Sequence, residues 1–272
     1  MTTTLAAPET TRTDNLGTVL LRTCRAEWAR IWSVRSSWAF ALAIGVVVLG
    51  FATILGFDAR SGWGEDAPEG GSWALGQVAG TFGMFVLVAF ALVAATADHG
   101  TGGIVPTLQW TPRRGVLLAA RATVVVLTTT GFCLLLVLAA SLLARLIAPD
   151  FGLAAEDLGV LAEVAGVYVG VTLLSVAIGL ATRNTAGGLM AVIGLILVLP
   201  LMLAILGQAF DWARDLGELV PGTGALHLMF DETLGSPAPQ LSTEYAWGLL
   251  GVWAVGALAL GGLRLLRADA DR

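Results

Sequence analysis

The residues best equipped for chemistry crowd into one polar stretch, "TADHGTGGIVPTLQWTPRR" at 96–114. It offers an acid (Asp98), an imidazole (His99), the hydroxyls of Thr101 and Thr107, the amide of Gln109 and the guanidinium pair Arg113 and Arg114, with Gly100 allowing close backbone approach. Such a set displays hydrogen bonds and charge to a partner. It does not assemble a catalytic centre. The only other histidine, His227, is expected on the opposite face of the membrane, so no metal cluster forms within one chain. All fifteen basic residues are arginine, which excludes the lysine of a phosphate-binding loop and a Schiff-base lysine. No paired carboxylates or serine–lysine dyad supports an intramembrane enzyme. The chain is expected not to be an enzyme, with no metal and no nucleic-acid partner.

The elements that carry this stretch are apolar. The chain is 56% hydrophobic and 13% charged, against about a quarter charged in an ordinary soluble domain. Its apolar runs lie near 38–57, 74–97, 116–147, 159–182, 186–207 and 245–263. Each suits a helix crossing a hydrocarbon layer of about 30 Å, which takes roughly 20 residues. The reading is an all-α membrane protein with six spans over 38–267, a polar tail at 1–19, an amphipathic segment at 20–37 and a tail at 268–272. The third run is too long for one upright helix, so its first turns, around 115–122, are expected in the inner interface. Residues 1–19 lack the apolar core of a cleavable signal, and the first span is expected to remain in the mature protein. Cys24 and Cys133 differ in depth, and no disulfide is expected.

Charge sets the expected orientation. With the N-terminus inside, twelve arginines fall on the cytoplasmic face and only Arg60, Arg145 and Arg214 fall outside. Both termini are therefore expected in the cytoplasm, and 96–114 joins spans two and three on the inner side.

Two amphipathic pieces flank that side. In "LLRTCRAEWARIWSVRSSW" at 20–38, Leu20, Cys24, Trp28, Ile31 and Trp32 share one helical arc, with Arg22, Arg25 and Arg30 opposite. This describes a helix lying at the headgroup level, its arginines facing anionic lipid. Glu27 gains nothing from anionic lipid, so a specific partner is expected for it, either a nearby arginine or another protein. The connection at 98–114 is longer than a plain inner turn requires. "IVPTLQW" within it is too apolar for a solvated loop and reads as a short surface-parallel helix ended by Pro112.

"RAEWARIWSVRSSW" before a span, then "HGT…PTLQWTPRRGVLLAAR" between spans two and three, resembles the membrane subunit of type-2 ATP-binding cassette transporters, the bacterial permeases with six spans. The resemblance implies that 20–37 is the elbow helix and 98–114 holds the coupling helix. It further implies two copies of a separate cytoplasmic ATPase, which binds Mg-ATP and docks on Asp98, His99, Gly100, Thr101, Thr107 and Gln109, with Arg113 and Arg114 fixing depth. Glu27, Trp28 and Arg30 are implied elbow contacts. A second permease chain, as a homodimer, completes the expected assembly in the bacterial cell membrane, among lipids.

Polar groups inside spans raise further expectations. Arg145 and Glu163, near the outer ends of spans three and four, read as an ion pair rather than a proton or substrate site. Gln77 and Thr81, with Phe82, Met84 and Phe85, are expected either to line a pathway for lipophilic cargo or to pack against span five. Gly76/Gly80 and Gly166/Gly170 have the spacing of close helix approach. The outer segment 208–244 places Trp212, Leu216 and Leu219 on one helical side and breaks at Pro221. By resemblance it forms short re-entrant helices closing the outer end, with Trp212, Leu216 and Pro221 as the gate. The expected function is the permease of an ATP-driven exporter for a lipophilic or amphipathic substrate. The alternative is an ATP-independent secondary transporter or channel, which would show inverted repeats and charged midplane residues.

Overall fold

A computed structural model describes residues 15–62, 71–100, 114–230 and 241–267, with the backbone alone at 98–100, 155–156 and 265–267. The protein is all-α, and six of its helical stretches are long and apolar enough to span a membrane. Helix α1 (Leu16–Ser33) precedes the spans, and α2 (Arg35–Gly62), α3 (Gly71–Gly100), α4 (Arg114–Ile147) and α5 (Gly159–Thr182) form the first four. The fifth span is composite: α6 (Thr185–Ile193), a π-helical turn (Gly194–Val198) and α7 (Leu199–Leu206). Two short helices, α8 (Asp211–Gly217) and α9 (Pro221–Phe230), precede the last span, α10 (Thr243–Arg267). The expected spans all appear.

Two boundaries differ from the hydropathy reading, each for a local reason. The amphipathic helix begins at Leu16 because Asn15 caps it, accepting from the Gly17 N–H. It ends at Ser33, where Val34 turns extended and the Trp38 indole N–H donates to the Trp32 carbonyl at 3.2 Å, pinning the corner into α2. The third run is one continuous 34-residue helix. At about 51 Å it outreaches a hydrocarbon layer of about 30 Å without a break. Its first turns are held by α1 and α3, as described below.

Helices α3 and α5 form the centre. Two-thirds of their apolar windows are buried (67% each), against 22% for α2 and for span five. Glycine makes this centre tight. A Cβ on Gly76 would sit 3.0 Å from both the Val137 carbonyl and the Ser141 amide of α4, and one on Gly80 2.6 Å from the Tyr168 hydroxyl. On α5, Gly166 and Gly170 admit Trp247 and Leu250 of α10. Both small-residue spacings expected from the sequence thus mark helix crossings, one seating α3 on α4 and the other α5 on α10. Tyr168 then donates to the Gly80 carbonyl at 3.1 Å.

Large side chains elsewhere point outward, among them Leu42, Val46 and Ile54 on α2, Leu135 and Leu146 on α4, and Val252 and Val255 on α10. On helices of this length such faces suit hydrocarbon. Cys24 and Cys133 are both free, as expected.

The crossings differ in what a methyl group would meet. Gly76→Ala is expected to destabilise the protein by about 1–3 kcal/mol, since backbone of α4 cannot yield as a side chain would. Gly248→Ala, where nothing lies within 4 Å, is expected to leave stability unchanged. Thermal unfolding of the two variants in the same detergent tests the contrast.

Candidate functional site: the clamp at the α1 end

Three helix ends meet where α1 lies against the bundle: the end of α3, the start of α4 and α1 itself. The side chains of α1 that turn inward are Thr23, Glu27 and Ile31, four residues apart and therefore stacked along one ridge. Cys24 and Trp32 pack partly beside them, whereas Leu20 and Trp28 stay exposed. The apolar arc read from the sequence is thus split. Its outer part faces away from the bundle, and the acid predicted to be a misfit faces in.

Glu27 is 5% exposed, and its main partner is Arg121, only 2% exposed, on the second turn of α4. Arg121 Nη2 donates to Glu27 Oε1 at 3.0 Å and Arg121 Nε to Oε2 at 3.2 Å. This is the two-pronged fit of guanidinium to carboxylate. Arg30 completes the cluster from one turn further along α1, its Nη2 2.7 Å and its Nε 3.1 Å from Glu27 Oε2. Both arginines also donate to α3: Arg30 Nη2 to the Ala94 carbonyl at 2.8 Å and Arg121 Nη1 to the Ala95 carbonyl at 3.4 Å. At the next residue, the Thr96 hydroxyl lies 2.8 Å from that of Thr185, at the start of α6. Three successive residues of α3 are anchored to three different helices.

Around this polar knot lies an apolar collar in which Ile31, Phe90, Ala91, Val124 and Val125 are buried together. A buried charge is tolerable only when paired and hydrogen-bonded, and the collar leaves the cluster little water to fall back on. Chemically the arrangement is a fastener. No group of three metal-binding side chains occurs among the described residues.

The predicted docking residues continue from this point. Asp98, His99 and Gly100 extend α3 by one further turn, with their side chains outside the described set. Thr101, Thr107, Gln109 and Arg113 lie outside the described residues, and Arg114 opens α4 half-buried. The clamp therefore grips both helices that the segment 101–113 connects. Of the predicted elbow contacts, Trp28 is 49% exposed and is followed by a tilted aromatic ladder, Trp28 to Trp32 at 5.8 Å and Trp32 to Trp38 at 5.1 Å. Glu27 is committed inside the chain, so of the two partners foreseen for it the nearby arginine is the one found. Arg121 was legible only as one more inner-face arginine. The signal that could have singled it out is its place about two turns past the Arg113/Arg114 pair, inside an otherwise apolar run.

At the opposite end, α9 is buried along 221–229. Gln77 Nε2 donates to the Leu228 carbonyl at 3.0 Å, the Thr81 hydroxyl donates to the Gln77 carbonyl at 3.1 Å, and Phe82 stacks on Phe51 and meets Phe230 edge-on. Gln77 and Phe82 thus contact α9, while Phe85 is partly buried against the core. Pro221 is buried at the start of α9. Trp212 (58% exposed) and Leu216 (45%) instead face outward, because it is the small Ala213 and Gly217 that fit against α7. The Arg145–Glu163 pair does not form among the described contacts: Arg145 Nη1 is buried with no hydrogen-bond partner, and Glu163 is exposed. Similar depth on two helices does not fix similar azimuth, and it is the neighbouring Ala144 and Val164 that face the core.

No protein-family model matches the chain, and no curated protein matches it.

Removing one partner of the buried pair leaves the other charge stranded. Arg121→Met is expected to destabilise the protein by about 3–5 kcal/mol, whereas Glu27→Leu with Arg121→Met together should recover most of that loss. Urea or thermal unfolding of the single and double variants measures the coupling.

Proposed function

We propose that the chain is the permease subunit of an ATP-binding cassette exporter, carrying a lipophilic or amphipathic substrate and driven by a separate ATPase. The observation that carries this reading is the Glu27–Arg121–Arg30 cluster, which locks α1, α3 and α4 together on both sides of the polar segment 98–113. A connection between two spans needs no such fastening for its own stability. A lever does, because a push on 101–113 is transmitted only if the helices at its two ends move with it.

In this reading the arginine-rich end faces the cytoplasm, and two ATPase subunits bind Mg-ATP and press on the segment through Asp98, His99, Thr101, Thr107 and Gln109. The chain, lacking lysine, depends on them for nucleotide. Helix α3 is the output shaft. Its Ala94 carbonyl takes the clamp and its Gln77 holds the cap helix α9, about 26 Å away at about 1.5 Å per residue. Tilting α3 at the inner face therefore strains the α9 contact at the outer face, opening and closing the way out. A second copy of the chain supplies the other wall of the pathway in the bacterial cell membrane. The outward-facing Trp212 and Leu216 suit contact with that copy or with lipid.

Two measurements test the reading. Purification from native membranes is expected to bring down an ATPase, and proteoliposomes holding both proteins are expected to hydrolyse ATP faster when cargo is added. Replacing His99–Thr101 by a glycine–serine linker of equal length should leave membrane insertion intact and lower the stimulated turnover at least about tenfold, the loss of roughly 1.4 kcal/mol of coupling. Uphill transport by the isolated chain, without a nucleotide-binding partner, would refute the proposal in favour of an ion-coupled carrier.

A further inference from the structure

We propose that α7 and α8 form a stiff arm that swings, relative to the rest of the bundle, about the π-helical turn at Gly194–Val198. The two parts of the fifth span have different neighbours. Helix α6 packs on α3 and α5, and its Val192, together with Ile196 of the turn, belongs to the main core. Beyond the turn, α7 packs on α8 instead. There Leu203, Ala213 and Val220 are buried together, with Leu199 beside them, in a cluster separate from the main core. The other large side chains of the pair, among them Leu201, Met202, Ile205, Trp212 and Leu216, are exposed.

Within the arm the two helices are firmly joined. The Gly207 N–H closes α7 on the Leu203 carbonyl at 2.7 Å, and Arg214 Nη2 donates to the Gly207 carbonyl at 3.1 Å. Gly207 also lets the backbone of α8 come close, since a Cβ there would lie 3.4 Å from the N and Cα of Arg214. Buried apolar contact along the pair and a bonded tip make the hairpin one body.

The turn is where the span is weakest. The Leu199 N–H bonds to the Gly194 carbonyl, so it does not serve the Leu195 carbonyl, its partner in a regular helix. The next donor along would be that of Pro200, which has no N–H. Leu195 is thereby left without a helical partner, and Pro200 also removes the regular partner of Ile196. Proline and π-turns are the usual sites of helix bending, and here they adjoin. Gly194, at the near side of the turn, adds no side chain to stiffen it, and a Cβ there would meet nothing within 4 Å. The second strand of the hairpin returns to the same place. A Cβ on Gly222 would lie 2.6 Å from the Leu195 carbonyl oxygen and 2.5 Å from that of Ile196. Just before it, the carbonyls of Glu218 and Leu219 accept from the Tyr245 hydroxyl at 3.2 Å and the Trp253 indole N–H at 2.9 Å, both on α10. Both strands are thus held at the base, and the arm extends from there. The start of α9 lies at the pivot, where a swing displaces it least.

The test is pulsed electron paramagnetic resonance of the spin-labelled full chain in detergent, in a Cys24→Ser, Cys133→Ala background. The labelled chain is diluted with unlabelled chain, so that only distances within one chain are read. One pair of labels joins Ile205→Cys on the arm to Leu135→Cys on α4, and a control pair joins Met190→Cys on α6 to the same α4 site. All three positions are exposed, which spares the packing. The arm pair is expected to give a distance distribution about twice as broad as the control pair. Pro200→Ala, which restores a donor within the span, and Gly194→Ala, which stiffens the turn without a clash, are each expected to narrow it towards the control. Should Pro200→Ala not fold, Gly194→Ala carries the comparison. An arm pair no broader than the control, or one that stays as broad in every variant that folds, would overturn the proposal. Neither ATP nor cargo enters these measurements, so the hinged arm and the transport reading stand or fall separately.

Discussion

A guanidinium withdrawn from water is tolerable only where its donors find acceptors, and Arg121 meets that demand with both oxygens of Glu27 and the backbone of α3. Much of the organisation at this end of the bundle follows. Because the carboxylate comes from α1, the surface helix cannot rotate its apolar arc fully inward. Because the arginine lies on the second turn of α4, that helix must run on as one rod beyond the hydrocarbon to bring it there. The extra length that hydropathy alone would assign to a bent interfacial stretch is the length needed to reach Glu27. Arg30 then shares the same carboxylate and adds a bond to Ala94, so the cluster joins three helices where a simple pair would join two.

The opposite end is held by different chemistry. Neutral hydrogen bonds and ring contacts seat α9 through Gln77 and Phe82, and glycines at 76 and 80 bring α3 close enough to α4 and α5 for those contacts to form. One helix thus carries a charge-assisted attachment at one end and a softer one at the other. The difference bears on motion, since neutral bonds break and re-form more readily than a desolvated ion pair. Rearrangement is accordingly expected around α9 before it occurs around α1.

Much of this was legible in the residues themselves. Spans were readable because hydrocarbon imposes length and leaves little choice of structure. Gly76/Gly80 and Gly166/Gly170 were readable as crossings because only small residues permit them. Glu27 stood out as an acid on an apolar arc, which correctly signalled a partner. What periodicity could not supply was azimuth. It placed Arg145 and Glu163 at matching depth without knowing that each helix turns a different face to the core, and it grouped Trp212 and Leu216 on one helical side without telling that this side turns outward while Ala213 and Gly217 are buried. It also could not distinguish Arg121 from the arginines that merely mark the inner face, because burial of a charge depends on a carboxylate 94 residues away in the chain.

The π-helical turn at Gly194–Val198 sets a constraint of its own. A wide turn holds one residue more than an ordinary one, so the two halves of the fifth span are out of phase by roughly the 100° that one residue contributes. That offset lets Val192 and Ile196 face the main core while Leu203 meets Ala213 and Val220 in a separate cluster. Deleting a single residue from the turn would restore a regular helix and swing Leu203 away from its neighbours, while the upper half stayed in place. The span therefore tolerates changes of side chain far better than changes of length, and a natural variant with one residue fewer there would have to rebuild the surface on which α8 rests.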